Sequence, residues 1–258
     1  MSCIGTIYSR NNSVTSGVSG WTLSGIARKK RQWYKITSGP GGMNCPPFAQ
    51  MRRWMSGTIA GERHMHENDY LMENDEEALR LEVKTDGEVL RKQARWAGIA
   101  PGMRIADIGC GAGVTTEILH GAAQPGGSIV GIDVSEKRIS HALGRYAKNG
   151  IQFQQRDMLH PLDDLGTFDF VWVRFVLEYF LADSFAVVEN ISRLVKPGGI
   201  LCLIDLDYNC LSHYGMSGRM ERTLFSIVRA LQEKADFDPY VGRKLYSYLY
   251  DLGYVDID

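Results

Sequence analysis

The sequence predicts an α/β fold, a doubly wound and mostly parallel sheet covered by helices on both faces. Two observations and one rule of chain connection lead there. Beyond Pro101, apolar runs of strand length alternate with amphipathic stretches of helix length. Parallel strands joined in this way need right-handed crossovers, which put helices on both faces of the sheet. The first strand-like run ends in IADIGCGAGV, Ile105 to Val114, a glycine-rich turn at the strand end where such sheets bind ligands.

From Asp75, DEEALRLEV and GEVLRKQARWAGI carry acidic residues early and basic residues late, as helix dipoles favour, with Gly87 separating two helices. MRIADIG then reads as a strand, VTTEILHGAA as a helix and SIVGIDV as the next strand. SEKRISHALGRYAK puts Ile139, Leu143 and Tyr146 on one helical face; IQFQQRD and FDFVWVRF are strands three and four. DSFAVVENISRLV is amphipathic through Phe185, Val188, Ile191 and Leu194, with Asp183 as N-cap and Lys196-Pro197-Gly198-Gly199 as its stop. ILCLIDL is the fifth strand, GRMERTLFSIVRALQEKA and PYVGRKLYSYLYDLGY are helices, and YVDID reads as the start of a sixth strand.

Composition narrows the class. With 258 residues, 44% hydrophobic, 23% charged and a net charge of -1, the chain is long enough for a sizeable core and has no basic field for nucleic acid. No run of about 18 apolar residues suggests a membrane span, and the N-terminus has no secretory segment, so the expected location is cytoplasmic. The five cysteines, Cys3, Cys45, Cys110, Cys202 and Cys210, show no C-x-x-C pairing and read as reduced thiols.

Residues 1–61 differ from the rest. Glu62 is the only acidic residue before His64, Arg28 to Arg31 read RKKR, and Ser, Gly, Thr and Asn abound without a sustained period. This stretch is expected to be mostly disordered. It also fits a start placed too early, with Met43, Met51, Met55 or Met65 as the true one, or a targeting segment or basic arm. Residues 62–100 then form a helical lead-in and 101–258 the sheet domain.

Each nucleotide-binding loop makes its own demand on the glycine turn. A phosphate-binding P-loop needs Gly-Lys-Ser/Thr after the glycines, and none follows. The dinucleotide fingerprint wants Gly or Ala at position 114, where this chain has Val114; that weakens a nicotinamide reading without removing it. The pattern that fits is an acidic residue followed by G-x-G-x-G, namely Asp107, Gly109, Gly111 and Gly113 with Cys110 inside the loop.

This stretch resembles motif I of the class I S-adenosylmethionine-dependent methyltransferases, which are Rossmann-like. The likeness continues in order through IVGIDVSEKRI, FQQRDMLHPL, FDFVWVRFVLEYF and LVKPGGILCLIDLD, covering Met103 to Asp207. It implies S-adenosyl-L-methionine as cofactor and a small-molecule acceptor. The glycines would let the backbone approach the ligand, and the helix starting near Gly113 would offer N–H groups to the methionine carboxylate. Asp133, with Val134 beside it, would accept from the ribose hydroxyls, as an acidic residue there also does in dinucleotide binders. The resemblance gives Asp157 the adenine amino group and sets Met158 beside the ring. Arg174 to Tyr179 would border the transferring methyl. Asp107 can support the loop or touch the ligand.

A sulfonium methyl is already activated, so transfer needs alignment and exclusion of water more than a base. His160, Arg174 and Tyr179 are the candidate catalytic residues. VRFV stands where the family's DNA amino methyltransferases have D/N-P-P-Y/F; Glu178 alone does not make the paired-Glu hairpin of arginine methyltransferases; Arg174 cannot replace the metal-binding Asp of catechol-type enzymes. Asp205, Asp207 and Asn209 form a carboxylate cluster better suited to capping or substrate contact than to a metal, and His64 and His66 are spaced too closely to share a helix face. Tyr70 could fold over the cofactor or simply pack.

The family closes its sheet with an antiparallel hairpin of strands six and seven, seven lying between five and six. This sequence ends at Asp258 without residues for strand seven, so strand five is expected to be left with unpaired backbone groups. The expected function is methyl transfer from S-adenosylmethionine to a small molecule. The alternatives are an NAD-dependent oxidoreductase and a methyltransferase-like module that holds the cofactor without turnover.

Overall fold

A computed structural model describes residues 4–10, 85–208 and 213–258. The described residues belong to one compact unit; residues 14–63 lie outside them, as do His64, His66, Tyr70 and Asn209.

In chain order the elements are β1 (Ile4–Arg10), α1 (Gly87–Trp96), β2 (Arg104–Ile108), α2 (Val114–Ala122), β3 (Ser128–Asp133), α3 (Glu136–Tyr146) and β4 (Ile151–Gln155). They continue with β5 (Phe168–Arg174), α4 (Ser184–Ser192), β6 (Val195–Leu206), α5 (Gly218–Ala235) and α6 (Leu245–Asp251). One sheet holds the strands in the order β1-β6-β5-β2-β3-β4. Strands β2 to β6 are parallel, with β2 between β3 and β5, so the chain reverses its direction of travel across the sheet at β2. This is the predicted fold, and β2 is its switch point.

Strand alternation builds two cores. Ala106, Ile108, Val130, Ile132, Val171 and Val173 face one side with Val187, Val188 and Ile191 of α4 and Leu245 and Leu249 of α6. Ile105, Ile129, Phe170, Trp172, Cys202 and Ile204 face the other with Leu90 of α1, Leu119 of α2 and Ile139 of α3. Central strands buried on both faces read as nearly continuous apolar runs, which is why FDFVWVRF and ILCLIDL were legible.

Several elements differ from expectation. Ile4–Arg10, inside the stretch expected to be disordered, pairs antiparallel with β6 from Ile4↔Leu206 to Arg10↔Ile200. The edge of β6 is therefore paired, in the place where the family sets strand seven. IGTIYSR is rich in β-branched and aromatic residues, and an open neighbouring edge lets such a segment form a ladder. YVDID makes no strand; only Val255 sits at a bridge position. Gly87 is the first residue of α1, capped by Asp86, whose carboxylate accepts from the N–H groups of Glu88 and Val89; an earlier helix would lie outside the described residues. Lys196-Pro197-Gly198-Gly199 is part of β6, where the register with β5 shifts between Phe168↔Val195 and Phe170↔Ile200. Leu143 is 47% exposed, and Ala142 takes the core position on α3. Asp183 stands at the N-cap of α4 without a side-chain capping bond. Among the described residues no helix is long and apolar enough to cross a membrane.

Candidate functional site

The turn after β2 is fixed by its glycines and by β3. Gly109, Gly111 and Gly113 have φ of 71, 55 and 91°. A Cβ at Gly109 would collide with the Val176 side chain, and one at Gly113 would stand 2.9 Å from the Ala142 Cβ. The N–H groups of Gly109 and Cys110 donate to the Ile132 carbonyl at 2.8 and 2.9 Å, which pins the loop to the end of β3. Cys110 is buried in the core beside α3, and burial pushes its thiol well above the ordinary range; it fills space between the glycines. Gly113 is the N-cap of α2 and gives no side-chain cap, so the first turn of that helix presents its N–H groups without one.

Asp107 lies within the loop's support. It is 2% exposed and accepts from the Thr116 hydroxyl at 2.6 Å, so the loop is tied at both ends, strand to helix. Burial raises its carboxyl to about 7, against the pull of the Thr116 bond and the Arg174 charge. Thr116 was not singled out in the sequence; its only signal was its place in the first turn after G-x-G-x-G.

Asp133 ends β3 with 5% exposure. Its Oδ2 accepts from the Gly111 N–H at 2.9 Å, joining the acidic strand end to the glycine loop. Its Oδ1 accepts from the Ser135 N–H at 2.9 Å and from Arg138 Nε and Nη2 at 3.1 and 2.9 Å. The Arg138 contact is a buried ion pair that sequence reasoning missed. Val134 follows Asp133 and offers its carbonyl to Gln155 Nε2 at 3.0 Å, which fixes that turn to the end of β4.

After β4, Asp157 Oδ1 accepts from the Leu159 N–H at 2.9 Å, closing a side-chain turn, and Met158 is buried beside it. Asn190 of α4 donates to the carbonyls of Met158 and His160, at 3.1 and 2.5 Å, and holds this turn against the sheet. His160 Nε2 lies 3.7 Å from Asp157 Oδ2, and the imidazole is half exposed. The sequence-predicted Asp107, Asp133 and Asp157 therefore all stand at or just past strand ends on one edge of the sheet, with the glycine loop between the first two.

The turn after β5 depends on a residue of β6. Asp205, fully buried, accepts from the N–H groups of Val176 and Leu177 through Oδ2, at 3.1 and 2.8 Å, and from Leu206 N–H through Oδ1 at 2.8 Å. It caps the single turn Leu177–Tyr179 and leaves Phe175 with a φ of 57°. Glu178, 4% exposed, is buried near Asp205, with no hydrogen-bond partner at Oε2; burial and the second carboxylate raise its carboxyl well above the usual range. Arg174 stacks on the Phe175 ring at 4.3 Å with Nε buried and unpartnered, and Tyr179 packs edge-on to Phe237. Asp207 pairs with Arg243 through two bonds of 3.0 and 2.7 Å. Asp205 and Asp207 thus serve different partners and do not converge.

Residues 106–203 match the Methyltransferase domain family. Demethylmenaquinone methyltransferases of Bacillus cereus and Bacillus anthracis are each 33% identical over 120 residues, 44% of this chain and 49% of theirs. The chain thus spans about half the length of the curated relatives it matches. Its fold is similar to a chain in the solved complex of the Haloferax volcanii Trm112 methyltransferase activator and a methyltransferase. That match has a TM-score of 0.54 and 21% identity, covering 69% of this chain and 73% of that one. With the sheet reversing at β2 and the acidic-G-x-G-x-G turn placed there, residues 106–203 form a domain similar to the methyltransferase domain family.

Proposed function

We propose that the chain binds S-adenosyl-L-methionine at the carboxyl ends of β2, β3 and β4 and transfers its methyl group to a small-molecule acceptor. The observation that carries this is the 2.9 Å bond from Gly111 N–H to Asp133 Oδ2, which sets a glycine cradle and a buried acidic strand end side by side. The residues fit the cofactor. The left-handed glycines let the turn fold tightly against Val176 and Ala142, the uncapped first turn of α2 suits a carboxylate, and no lysine stands there to demand a phosphate. Asp133 serves the ribose, Asp157 the adenine amino group, and Met158 and Val134 flank the nucleoside.

When bound, the cofactor supplies an activated methyl group. The chain supplies alignment: Asp107 and Thr116 hold the loop, and Asp205 fixes the Val176–Leu177 turn that borders the methyl. Arg174, half-buried near Asp107, balances the carboxylate charge behind the loop. His160 and Tyr179 are the side chains proposed to meet the acceptor. A quinol-like small molecule is the first acceptor to try, since the curated relatives act on demethylmenaquinone. A reducing, cytoplasmic setting belongs to the same proposal, supported by free thiols at Cys110 and Cys202.

The test is transfer of labelled methyl from S-adenosylmethionine to a panel of small acceptors that includes demethylated quinols. A labelled product is expected. Cofactor binding with no transfer to any acceptor would instead favour a non-catalytic binding module.

A further inference from the structure

We infer that Arg138 is an internal competitor for the nucleoside: its guanidinium holds the part of the Asp133 carboxylate that a ribose diol requires, and the cofactor binds by displacing it. The inference rests on the assignment of ribose to Asp133 made above.

A carboxylate offers about four hydrogen-bonding sites, two on each oxygen. Both sites on Oδ1 of Asp133 are taken, one by Ser135 N–H at 2.9 Å and the other shared by Arg138 Nε and Nη2 at 3.1 and 2.9 Å. Oδ2 takes one, from Gly111 N–H. With Arg138 in place, one site on Oδ2 is left, and two hydroxyls cannot both be accepted. The backbone donors cannot leave, because Gly111 belongs to the loop pinned to β3 and Ser135 is the N-cap of α3. The arginine side chain can. Its own N–H is held by the Ser135 hydroxyl at 3.3 Å, so the helix start stays fixed while the guanidinium swings.

Such a swing has a definite energetic character. Arg138 is 6% exposed and Asp133 5%, so the contact is a buried, charge-assisted pair rather than a surface one. Two ribose hydroxyls replace the lost hydrogen bonds on Asp133, and a ligand with a single hydroxyl in that position replaces only one. The latched state is closed to a diol, and its population lowers the apparent affinity. Arg138 therefore weakens cofactor binding and sharpens the demand for an intact cis-diol, while it stabilises the ligand-free protein.

The two effects have opposite signs, and that makes the test decisive against a merely structural ion pair. Titration calorimetry with S-adenosylhomocysteine is compared for the wild type and Arg138→Met, together with thermal unfolding of each without ligand. The expected result is a lower melting temperature for the variant and binding about tenfold tighter. Equal or weaker binding by the folded variant overturns the inference and leaves the cofactor reading intact. Absence of binding to both proteins overturns both. If Arg138→Met does not fold, Arg138→Lys is read in its place. A lysine keeps the charge but donates from one nitrogen, so a smaller tightening supports the competitor and none overturns it.

Discussion

The carboxylate of Asp205, at the end of β6, accepts the backbone N–H of Leu177 at 2.8 Å, and through this bond the last parallel strand sets the turn that follows its neighbour β5. The same Oδ2 takes Val176 N–H, and the Val176 side chain closes over Gly109. One buried acid thus links β6 to the glycine loop by way of the residues proposed to border the methyl group.

Asp205→Ala leaves the Val176, Leu177 and Leu206 N–H groups without their acceptor in a buried place. Each orphaned donor costs about 1 to 3 kcal/mol, with partial relief by rearrangement, so the unfolding free energy should fall by about 3 kcal/mol. Urea unfolding measures this, and a change below about 1 kcal/mol would remove Asp205 as the anchor of the turn.

Glu178, Asp205 and Asp107 all carry raised carboxyl groups, chiefly through burial. A carboxyl raised on folding binds more protons in the folded state. Its stabilising contribution is complete below the unfolded value near 4 and is lost as pH rises through the folded value. The melting temperature should therefore fall between about pH 5 and pH 8. Glu178→Gln removes one of the titrations at nearly constant shape, so it should flatten that fall and gain on the wild type most at pH 8.5. Calorimetric scans at pH 5.5 and 8.5 decide it, and parallel slopes for the two proteins would count against Glu178.

Thr116→Val removes the hydroxyl that Asp107 accepts at 2.6 Å and leaves that carboxylate buried without it. A loss of about 1 to 3 kcal/mol is expected at pH 8, where Asp107 is ionised, and a smaller one at pH 5.5, where it is protonated. Chemical unfolding at the two pH values checks the difference; equal losses would mean that the hydroxyl matters for packing alone.

Deleting residues 1–10 takes β1 from the edge of β6. The ladder from Ile200 to Leu206 would then be open to a second chain, and concentration-dependent association is expected. Size-exclusion chromatography over a range of loading concentrations reads this directly. A deleted protein that stays monomeric throughout would show that β6 does not depend on β1 for protection.

How much could be read beforehand follows from what each residue answers to. The central strands were legible because burial on both faces leaves no choice but apolar residues, and Gly109, Gly111 and Gly113 because glycine suits their positive φ. Asp107, Asp133 and Asp157 could be placed at strand ends by counting. Their partners could not. Nothing in SEKRI singles out Arg138 as the residue that α3 turns onto Asp133, and Thr116 becomes a donor to Asp107 only through the geometry of the first helical turn. Asp205 read as part of an acidic cluster because a sequence does not say which of two nearby carboxylates points inward. β1 was missed because a short segment becomes a strand only when a distant edge is open to receive it.

The contact between Gly111 and Asp133 is the centre of the account. Asp133→Asn keeps the side-chain shape but loses the charge, and it should weaken S-adenosylhomocysteine about tenfold. The most direct measurement is calorimetric titration of the wild-type chain with S-adenosylhomocysteine and, separately, with NAD. Saturable binding of S-adenosylhomocysteine and none of NAD is the predicted result. Binding of NAD alone would contradict it.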